Sequence, residues 1–503
     1  MYSSHGFRDY EIGDVDVVRH NGVYHLFHLV LPNHDYIAHA VSPDGLHWQR
    51  VKNALFIGDP EAWDDDMLWT MHVTPNPYRP GAWRMFYTGL CMRESGRVQR
   101  VGLAHSDDLY HWHKDTSGAF PLAIPAATDY EHDVKEGRKW VSFRDPFCYQ
   151  DNGETYLLAA ARVKSGPIIR RGCVSLAKEI AEGKFEFRPP LFYPIRYDDI
   201  EVPNLMRIDQ RYYLVGSIRE DIKVHYWYAE ELTGPYLNFH DNVLLPQGNY
   251  AARVHRDEGK ILVWNFFFKG LTTSGKHLMA PPKELKVGDD GKLRLRSFAG
   301  FDKLVTQTLT TEQLTPLQPL FNNPHARCSD QRGDCWFSCE SGMELFVAPE
   351  EYNDFMLTGV LHIEGRGKCG LFFRINDKGD GYFISLELFK GIVQIRAWRH
   401  NRDFEEAFHY EQLQTANYIP RQGPHPFRLL AYEQYIELSL HDHIRLTLAD
   451  DQFAQGRVGF YVESAKARID NLELRICNHT PTATYPDSIT QPLTLASPHK
   501  QQN

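Results

Sequence analysis

The chain has 503 residues, a formal net charge of −10 and 13% aromatic residues. This length is too great for one ordinary core and predicts roughly two or three domains, or one large all-β domain with a smaller companion. No run of about five or six like charges occurs, so neither a nucleic acid nor a membrane surface is expected as a partner.

The ends of the chain and its cysteines predict an unexported protein. The segment from Met1 to Arg8 has no apolar core of a signal peptide, and no segment approaches the roughly 18 apolar residues that span a bilayer. The eight cysteines are scattered without a C-x-x-C pair, and the spacing of Cys328, Cys335 and Cys339 fits no standard zinc site. We therefore expect a soluble, cytoplasmic protein with reduced cysteines and no bound metal.

The first elements along the chain are hairpins. Residues 17–27 form two apolar runs across Asn21-Gly22, a pairing typical of a tight two-residue turn. The same unit recurs at residues 151–158 and 207–215. A carboxylate stands one strand ahead of each unit, and these acids are Asp14, Asp145 and Glu201.

A second repeat is the pattern Ser-x-Asp-x-x-x-Trp, found at residues 42–48 and 106–112, each time after a strand of small residues. We interpret it as a capped turn with a buried indole and assign it no catalytic role. Recurrence of a four-strand module at such spacing indicates a β-propeller, whose innermost strands begin at a central funnel. The three acids would then converge in that funnel.

The propeller pattern fades in the proline-bearing stretch 314–320, which predicts a linker. The strands beyond it favour a β-sandwich of the jelly-roll or lectin-like kind. Residues 478–503 are rich in Thr, Pro, Ser and Gln and predict a mobile tail. The predicted domains are a catalytic propeller at 1–320, a sandwich at 321–477 and the tail at 478–503.

Each acid has a functional and a structural interpretation. Asp14 and Asp16 share one face of an ideal strand, which would raise at least one pKa, whereas a turn aspartate would only cap backbone amides. Arg144 and Asp145 alternate faces, so an ideal strand cannot point both into the funnel, and a salt bridge is the rival interpretation. Glu201 precedes Val-Pro, which favours extended backbone.

Two such carboxyls suffice to cleave a glycosidic bond, because one protonates the leaving oxygen while the other attacks or activates water.

The order of an N-terminal aspartate, Arg-Asp-Pro and Glu-x-Pro-Asn within repeated hairpins resembles the five-bladed propeller glycosidases of glycoside hydrolase family 32, with relatives in families 43 and 68. Similar segments lie at residues 21–27, 38–48, 63–70 and 249–252, and those enzymes also carry a C-terminal β-sandwich. The resemblance therefore covers the chain to about Cys477. It implies that Asp14 is the nucleophile, that Asp145 binds hydroxyls and stabilises the transition state, and that Glu201 is the acid/base.

Two departures from the family pattern keep alternatives open. Gly13-Asp14-Val15-Asp16-Val17 replaces the usual Asn-Asp-Pro-Asn-Gly and is closer to the Asp-x-Asp-x-x-Arg run of family 43, so Asp16 is a second candidate nucleophile or base. Val202 replaces a cysteine beside the acid/base. The resemblance implies hydrolysis of β-fructofuranosides; an inverting arabinofuranosidase, a fructosyl-transferring enzyme and a non-catalytic sugar-binding propeller are the alternatives.

Sugar binding needs aromatic faces and polar partners for hydroxyls. The candidates for stacking are Trp63, Trp69 and Tyr250, and those for hydroxyls are Asn33, Asp64, Asp66 and Arg144. The sequence holds no phosphate-cradling glycine loop, serine nucleophile elbow or dinucleotide fingerprint. We therefore predict no cofactor and an oligosaccharide substrate, and a homo-oligomer stays open.

Overall fold

A computed structural model describes residues 1–2, 11–272, 275–331, 334–364, 367–387, 390–400, 408–419 and 423–478. The predicted tail beyond Asn478 lies outside these residues. The described chain is built from strands, as the all-β prediction required, and none of its helices is long and apolar enough to cross a membrane. The helical segments are the α-helical turn Thr311–Leu314 and the 3-10 turns Met92–Glu94, Ile168–Arg170, Lys269–Leu271 and Ala299–Leu304.

The first half of the chain forms five blades, each made from one contiguous stretch of antiparallel strands. Blade 1 contains β1 Glu11–His20, β2 Val23–Leu31, β3 Tyr36–Ser42, β4 Gln49–Arg50 and β5 Leu55–Phe56. Blade 2 contains β6 Met67–Pro75, β7 Trp83–Leu90, β8 Arg100–Ser106 and β9 His113–Lys114, and blade 3 contains β10 Phe143–Asp151, β11 Glu154–Arg162, β12 Gly172–Ala181 and β13 Lys184–Phe192. Blade 4 contains β14 Glu201–Ile208, β15 Arg211–Ile218, β16 Lys223–Ala229 and β17 Val243–Leu245, and blade 5 contains β18 Asn249–Asp257, β19 Lys260–Phe267, β20 Leu278–Met279, β21 Lys283–Val287 and β22 Leu293–Ser297.

The second half forms two facing sheets, which fit the predicted sandwich. One sheet contains β23 Val305–Thr310, β25 Ala326–Gln331, β26 Asp334–Cys339, β28 Phe355–Glu364, β33 His425–Tyr432, β34 Tyr435–Leu440, β35 His443–Ala449 and β37 Lys466–Cys477. The other contains β24 Gln318–Pro319, β27 Met343–Tyr352, β29 Lys368–Ile375, β30 Gly381–Glu387, β31 Ile392–His400, β32 Phe408–Asn417 and β36 Gly456–Glu463.

The sandwich sheets begin earlier than the predicted boundary at residue 320. Strand β23 pairs with β37, and β24 pairs with β27. The proline-bearing stretch 314–320, predicted as a linker, contains the two-residue edge strand β24. Because β24 lies at the edge, Pro319 removes no hydrogen bond from the interior of the sheet. The hydrogen-bonded sandwich therefore starts at Val305.

The predicted turns are confirmed. Asn21 and Gly22 have φ values of 49° and 81°, and Asn152 and Gly153 repeat them, which is the left-handed pair that a type I′ hairpin requires. In the repeated serine motif, the Ser42 hydroxyl accepts the Gly45 amide at 2.8 Å. These local signals fix the strand ends, and hence which residues begin each blade at the axis.

A separate apolar cluster fills the space between each pair of neighbouring blades. The cluster that joins blade 5 to blade 1 also includes side chains of the sandwich, among them Met356, Leu430 and Tyr435. Each blade is contiguous, and among the described strands none is shared between blades 5 and 1. These two blades are joined by polar contacts such as the Tyr24 hydroxyl on Asp257 at 2.7 Å.

All five innermost strands are irregular at one level. The pairing register shifts between Ile12 and Val15 in β1, Trp69 and Met71 in β6, Arg144 and Phe147 in β10, Glu201 and Asn204 in β14, and Tyr250 and Arg253 in β18. Asp145, Val202 and Ala251 adopt left-handed φ values of 58°, 48° and 50°. A bulge re-aims the side chains beside it. The five bulges therefore build one polar floor at the propeller axis.

Candidate active site

The structure brings the three predicted acids together. Asp14, Asp145 and Glu201 lie in the bulges of β1, β10 and β14, and these strands contact one another or β6 and β18 around the axis. The charges of Asp145 and Glu201 both act on Asp14. Asp14 and Glu201 are partly accessible, whereas Asp145 is only 3% exposed. A molecule that enters the funnel therefore reaches Asp14 and Glu201 first.

Asp14 accepts a hydrogen bond from the Thr70 hydroxyl of blade 2. Burial and the charges of Asp145 and Glu201 raise the pKa of Asp14 to about 7, against the lowering effects of Thr70 and Arg253. Neighbouring carboxyls that interact this strongly titrate as a group. Asp14 therefore keeps its proton to a higher pH than an ordinary aspartate does.

Asp16 has a different environment from Asp14. Its carboxylate accepts the Val73 amide at 2.5 Å and lies 3.2 Å from Nδ1 of His72. Burial pushes the pKa of Asp16 upward, but His72, Arg253 and the Val73 amide outweigh burial and leave the pKa below its ordinary value. The sequence predicted that two acids on one face of the strand would raise the pKa of at least one of them. The pKa of Asp14 is raised, but the causes are burial and the charge of Asp145 in β10.

Arg144 and Asp145 both face the site, which an ideal strand would forbid. The bulge in β10 and the left-handed backbone of Asp145 turn the two side chains to one side. The Arg144 guanidinium lies 2.6 Å from Glu201, 3.3 Å from Asp199 and 3.6 Å from Asp145. Arg144, a candidate for substrate hydroxyls, is thus surrounded by carboxylates.

Backbone amides hold Asp145 in place. Its own amide donates to the Thr88 hydroxyl at 3.1 Å, and the Val202 amide donates to its Oδ2 at 3.0 Å. Burial raises the pKa of Asp145, as does the charge of Glu201, although Arg144 lowers it. The carboxyl beside Glu201 is therefore fixed in position and reluctant to ionise.

Tyr250 contacts the candidate acid/base directly. Its hydroxyl donates to Oε2 of Glu201, while Arg144 occupies Oε1. Burial and the charge of Glu201 raise the pKa of Tyr250 well above its ordinary value, so the phenol stays protonated. Tyr250 was expected to stack on a sugar, and the structure places it as a hydrogen-bond donor to Glu201.

Two of the other predicted contacts are packed into blade 2. Trp63 stacks on Tyr87 at 5.7 Å, above Gly89, where a β-carbon would lie 2.4 Å from the indole. Asp64 is 2% exposed and accepts the Tyr87 hydroxyl at 2.9 Å and the Lys114 ammonium at 2.6 Å. The side chains of Trp63 and Asp64 therefore pack within this blade, and no described hydrogen bond joins them to the three acids.

Three further candidates lie at the end of the propeller where β1 begins. Asn33 is exposed in the turn between β2 and β3, and Asp66 is half-buried just before β6. Trp69 is half-buried beside Thr70, with its ring 6.1 Å from that of His34. These positions border the funnel but do not contact Asp14, Asp145 or Glu201 through any described hydrogen bond.

Sequence reasoning missed Thr88, Asp199 and Arg253. Arg253 is 1% exposed in β18, and its guanidinium donates to the carbonyls of Pro146 at 2.9 Å, Met71 at 3.0 Å and Pro203 at 3.2 Å. The available signal was an arginine directly after Tyr250-Ala251-Ala252 in an otherwise strand-like segment. Period-two alternation hides its direction because a bulge intervenes.

All eight cysteines are free thiols. Across the described ranges, no three His, Cys, Asp or Glu side chains are grouped to hold a metal ion.

Comparison with known proteins gives one family and a set of similar structures. Residues 15–252 match the glycosyl hydrolases family 32 N-terminal domain. No curated protein sequence matches the chain. The fold is similar to fructan 1-exohydrolase IIa from Cichorium intybus, with a TM-score of 0.65, 14% identity, and coverage of 93% of this chain and 95% of that one.

Two further structures have the same fold. A β-fructofuranosidase of Bombyx mori has a TM-score of 0.64 and 14% identity over 93% of this chain and 91% of that one. An exo-inulinase of Aspergillus awamori has a TM-score of 0.64 and 14% identity over 93% of this chain and 96% of that one. The matched domain and the five-bladed propeller define the class of protein, a glycosidase. More particularly, residues 15–252 are similar to the N-terminal domain of glycosyl hydrolases family 32, and the fold is a propeller followed by a β-sandwich, as the sequence predicted.

Proposed function

We propose that this glycosidase hydrolyses β-fructofuranosides, with Asp14 as nucleophile and Glu201 as acid/base. The observation that carries the proposal is the convergence of Asp14, Asp145 and Glu201 from three blades, with Asp14 and Glu201 accessible from the funnel. Among similar folds, one structure is a complex with sucrose and another a complex with 1-kestose. Both ligands are short fructosides, which supports an oligosaccharide substrate here.

The chemistry takes two steps. The Asp14 carboxylate attacks the anomeric carbon while the glycosidic C–O bond breaks, and the leaving oxygen takes the proton of Glu201. Water then attacks the glycosyl ester, giving its proton to Glu201 and releasing Asp14. Asp145, fixed by the Val202 amide, is placed to hold hydroxyls of the sugar. No cofactor is needed for either step.

The reaction needs a proton within the site, because the leaving oxygen takes one up. Because the pKa of Asp14 is raised to about 7, the site retains a proton up to about this pH. The reactive form carries the proton on Glu201 and leaves Asp14 ionised. Loss of the last proton from the group inactivates the enzyme, so kcat/KM should fall above a pH of about 7.

The test is a panel of sucrose, 1-kestose, inulin and an aryl arabinofuranoside, assayed with the wild-type protein, Glu201→Gln and the control Glu230→Gln. Glu230 is exposed and pairs with Arg211 outside the site. Glu201→Gln should lower kcat about 10²–10⁴-fold on the fructosides, because general acid catalysis is lost. Glu230→Gln should retain wild-type turnover.

Turnover of every substrate unchanged in Glu201→Gln would overturn the assignment of this acid, and a wild-type protein active only on the arabinofuranoside would overturn the substrate. The anomeric form of the first product, followed by NMR, separates the two roles of Asp14. Retained configuration supports Asp14 as nucleophile, and inversion would make it a general base.

A further inference from the structure

We propose that Arg253 is a positioning residue that fixes the carboxyl-bearing bulges of the propeller and supplies the permanent positive charge beneath them. This role deepens the proposed function and rests on it for the identity of the acids.

The hydrogen bonds of Arg253 tie its own blade to three others. Arg253 lies in blade 5, and its acceptors are the carbonyls of Met71 in blade 2, Pro146 in blade 3 and Pro203 in blade 4. Met71 follows Thr70, the hydrogen-bond donor to Asp14, and Pro146 follows Asp145. Pro203 lies two residues after Glu201. Each acceptor therefore belongs to the bulge that carries a residue of the site.

The planar guanidinium suits this position better than any other side chain. Carbonyls in bulges leave the strand ladder, and a buried carbonyl without a donor is costly. Arginine presents five N–H donors in a fixed fork, so one side chain satisfies carbonyls from three directions. A lysine ammonium is a compact point charge on a flexible stem and is less able to span them.

These hydrogen bonds do not neutralise the charge of Arg253, because the acceptors are uncharged carbonyls. It acts instead on Asp16, Asp145 and Asp14, in decreasing order. The guanidinium carbon of Arg253 also lies 5.7 Å from the centre of the Phe147 ring. The other titratable and charged groups of the five innermost strands that interact with these three acids are His72 in β6, Arg144 in β10, Glu201 in β14, and Tyr250 and His255 in β18.

Two effects of substitution can be separated. Arg253→Lys keeps the charge and loses the three-way hydrogen bonding, whereas Arg253→Met loses both. Loss of the three hydrogen bonds should lower kcat, because displaced bulges misalign the acids. KM should change little, because Arg253 is too buried to touch substrate. Loss of the positive charge should raise the pKa of the neighbouring carboxyls, so that their proton leaves at a higher pH.

The experiment measures kcat, KM and the pH profile of kcat/KM for wild type, Arg253→Lys and Arg253→Met on the fructoside that the wild type hydrolyses best. Both variants should lose at least about tenfold in kcat with KM within about threefold. The fall of kcat/KM at alkaline pH should occur about one pH unit or more higher in Arg253→Met than in the wild type. In Arg253→Lys it should stay near the wild-type pH. If circular dichroism shows Arg253→Met unfolded, Arg253→Gln, which is neutral and retains an amide donor, takes its place.

A second readout needs no substrate. Thermal midpoints at pH 6 and pH 9 should differ more in the neutral variant than in Arg253→Lys, because ionising the carboxyls without the cation destabilises the folded state. Identical pH limbs and identical midpoint differences in all three proteins, or kcat within twofold of wild type in the neutral variant, would overturn the proposal. Should the wild type hydrolyse no fructoside, the proposed function fails and the midpoints alone decide the role of Arg253.

Discussion

Asp14 and Asp16 lie two residues apart in one strand, yet their pKa values move in opposite directions. Asp14 shares a buried floor with two other carboxyls, whereas Asp16 faces His72 and a backbone amide. The sequence order predicted which acids would meet, because each precedes a hairpin in a repeated unit. It could not predict which of these two would face the funnel, since the bulge between them breaks the alternation that sequence patterns assume.

Asp14→Asn should stabilise the protein at pH 8. The pKa of Asp14 is raised from its unfolded value to about 7, so its contribution to folding is present at low pH and is lost as pH rises through about 7. The asparagine variant has no such loss, and its free energy of unfolding should exceed that of wild type by about 1–3 kcal/mol at pH 8, with a smaller difference at pH 5. Urea unfolding at the two pH values measures this.

Asp16→Asn is the matched control with the opposite sign. The pKa of Asp16 is lowered in the folded state, so its stabilisation is present above the unfolded pKa and is lost only as pH falls. This variant should be less stable than wild type at pH 8. Destabilisation by both substitutions at pH 8 would contradict the distinct charge states described for the two acids.

At the scale of elements, the hairpins were predictable and the bulges were not. Asn21-Gly22 and Asn152-Gly153 encode their turns locally, because few other residues accept two successive left-handed conformations. The bulges arise where five innermost strands approach the same axis, and only the assembled ring defines that place. This explains why Arg144 and Asp145 both face the site although their spacing predicts opposite faces.

Thr88→Val should weaken the link between two bulges. The buried Thr88 hydroxyl of β7 accepts the Asp145 amide at 3.1 Å and donates to the Thr70 carbonyl at 3.5 Å. Valine keeps the shape but leaves that amide unpaired, which should cost about 1–3 kcal/mol and lower kcat about tenfold as Asp145 shifts. Denaturant unfolding and steady-state kinetics measure the two effects.

Thr155→Val in β11 is the control, since Thr155 is also buried in the second strand of a blade but pairs with Gln150, at the opposite end of β10 from Asp145. It should leave kcat unchanged. Equal losses of activity in the two valine variants would show that Thr88 does not position Asp145.

At the scale of the whole molecule, the two-part all-β architecture was predictable and the joint between its parts was not. The pattern of strands predicted a propeller and a sandwich, and both are present. The joint is a shared apolar core in which Trp264 and Phe301 meet Tyr435 of the sandwich. Its residues are spread along the chain, so no local pattern shows that they pack together.

The shared core predicts that propeller and sandwich unfold together. Scanning calorimetry of the wild type should show one transition, because separating the parts exposes the core around Tyr435. Tyr435→Ala should divide the transition into two, whereas Tyr461→Ala, in a cluster confined to the sandwich, should lower the midpoint without division. Two well-separated transitions in the wild type would contradict a common core.

The closure of the ring has a consequence for how such a molecule changes over evolution. In the part of the chain that the structure describes, blades 1 and 5 meet without a common strand, and the sandwich packs over that seam. A duplicated or deleted blade would alter the distance across the seam and leave the sandwich with nothing complementary to cover. The number of blades and the presence of the second domain are thus coupled, so a viable change in one requires a compensating change in the other.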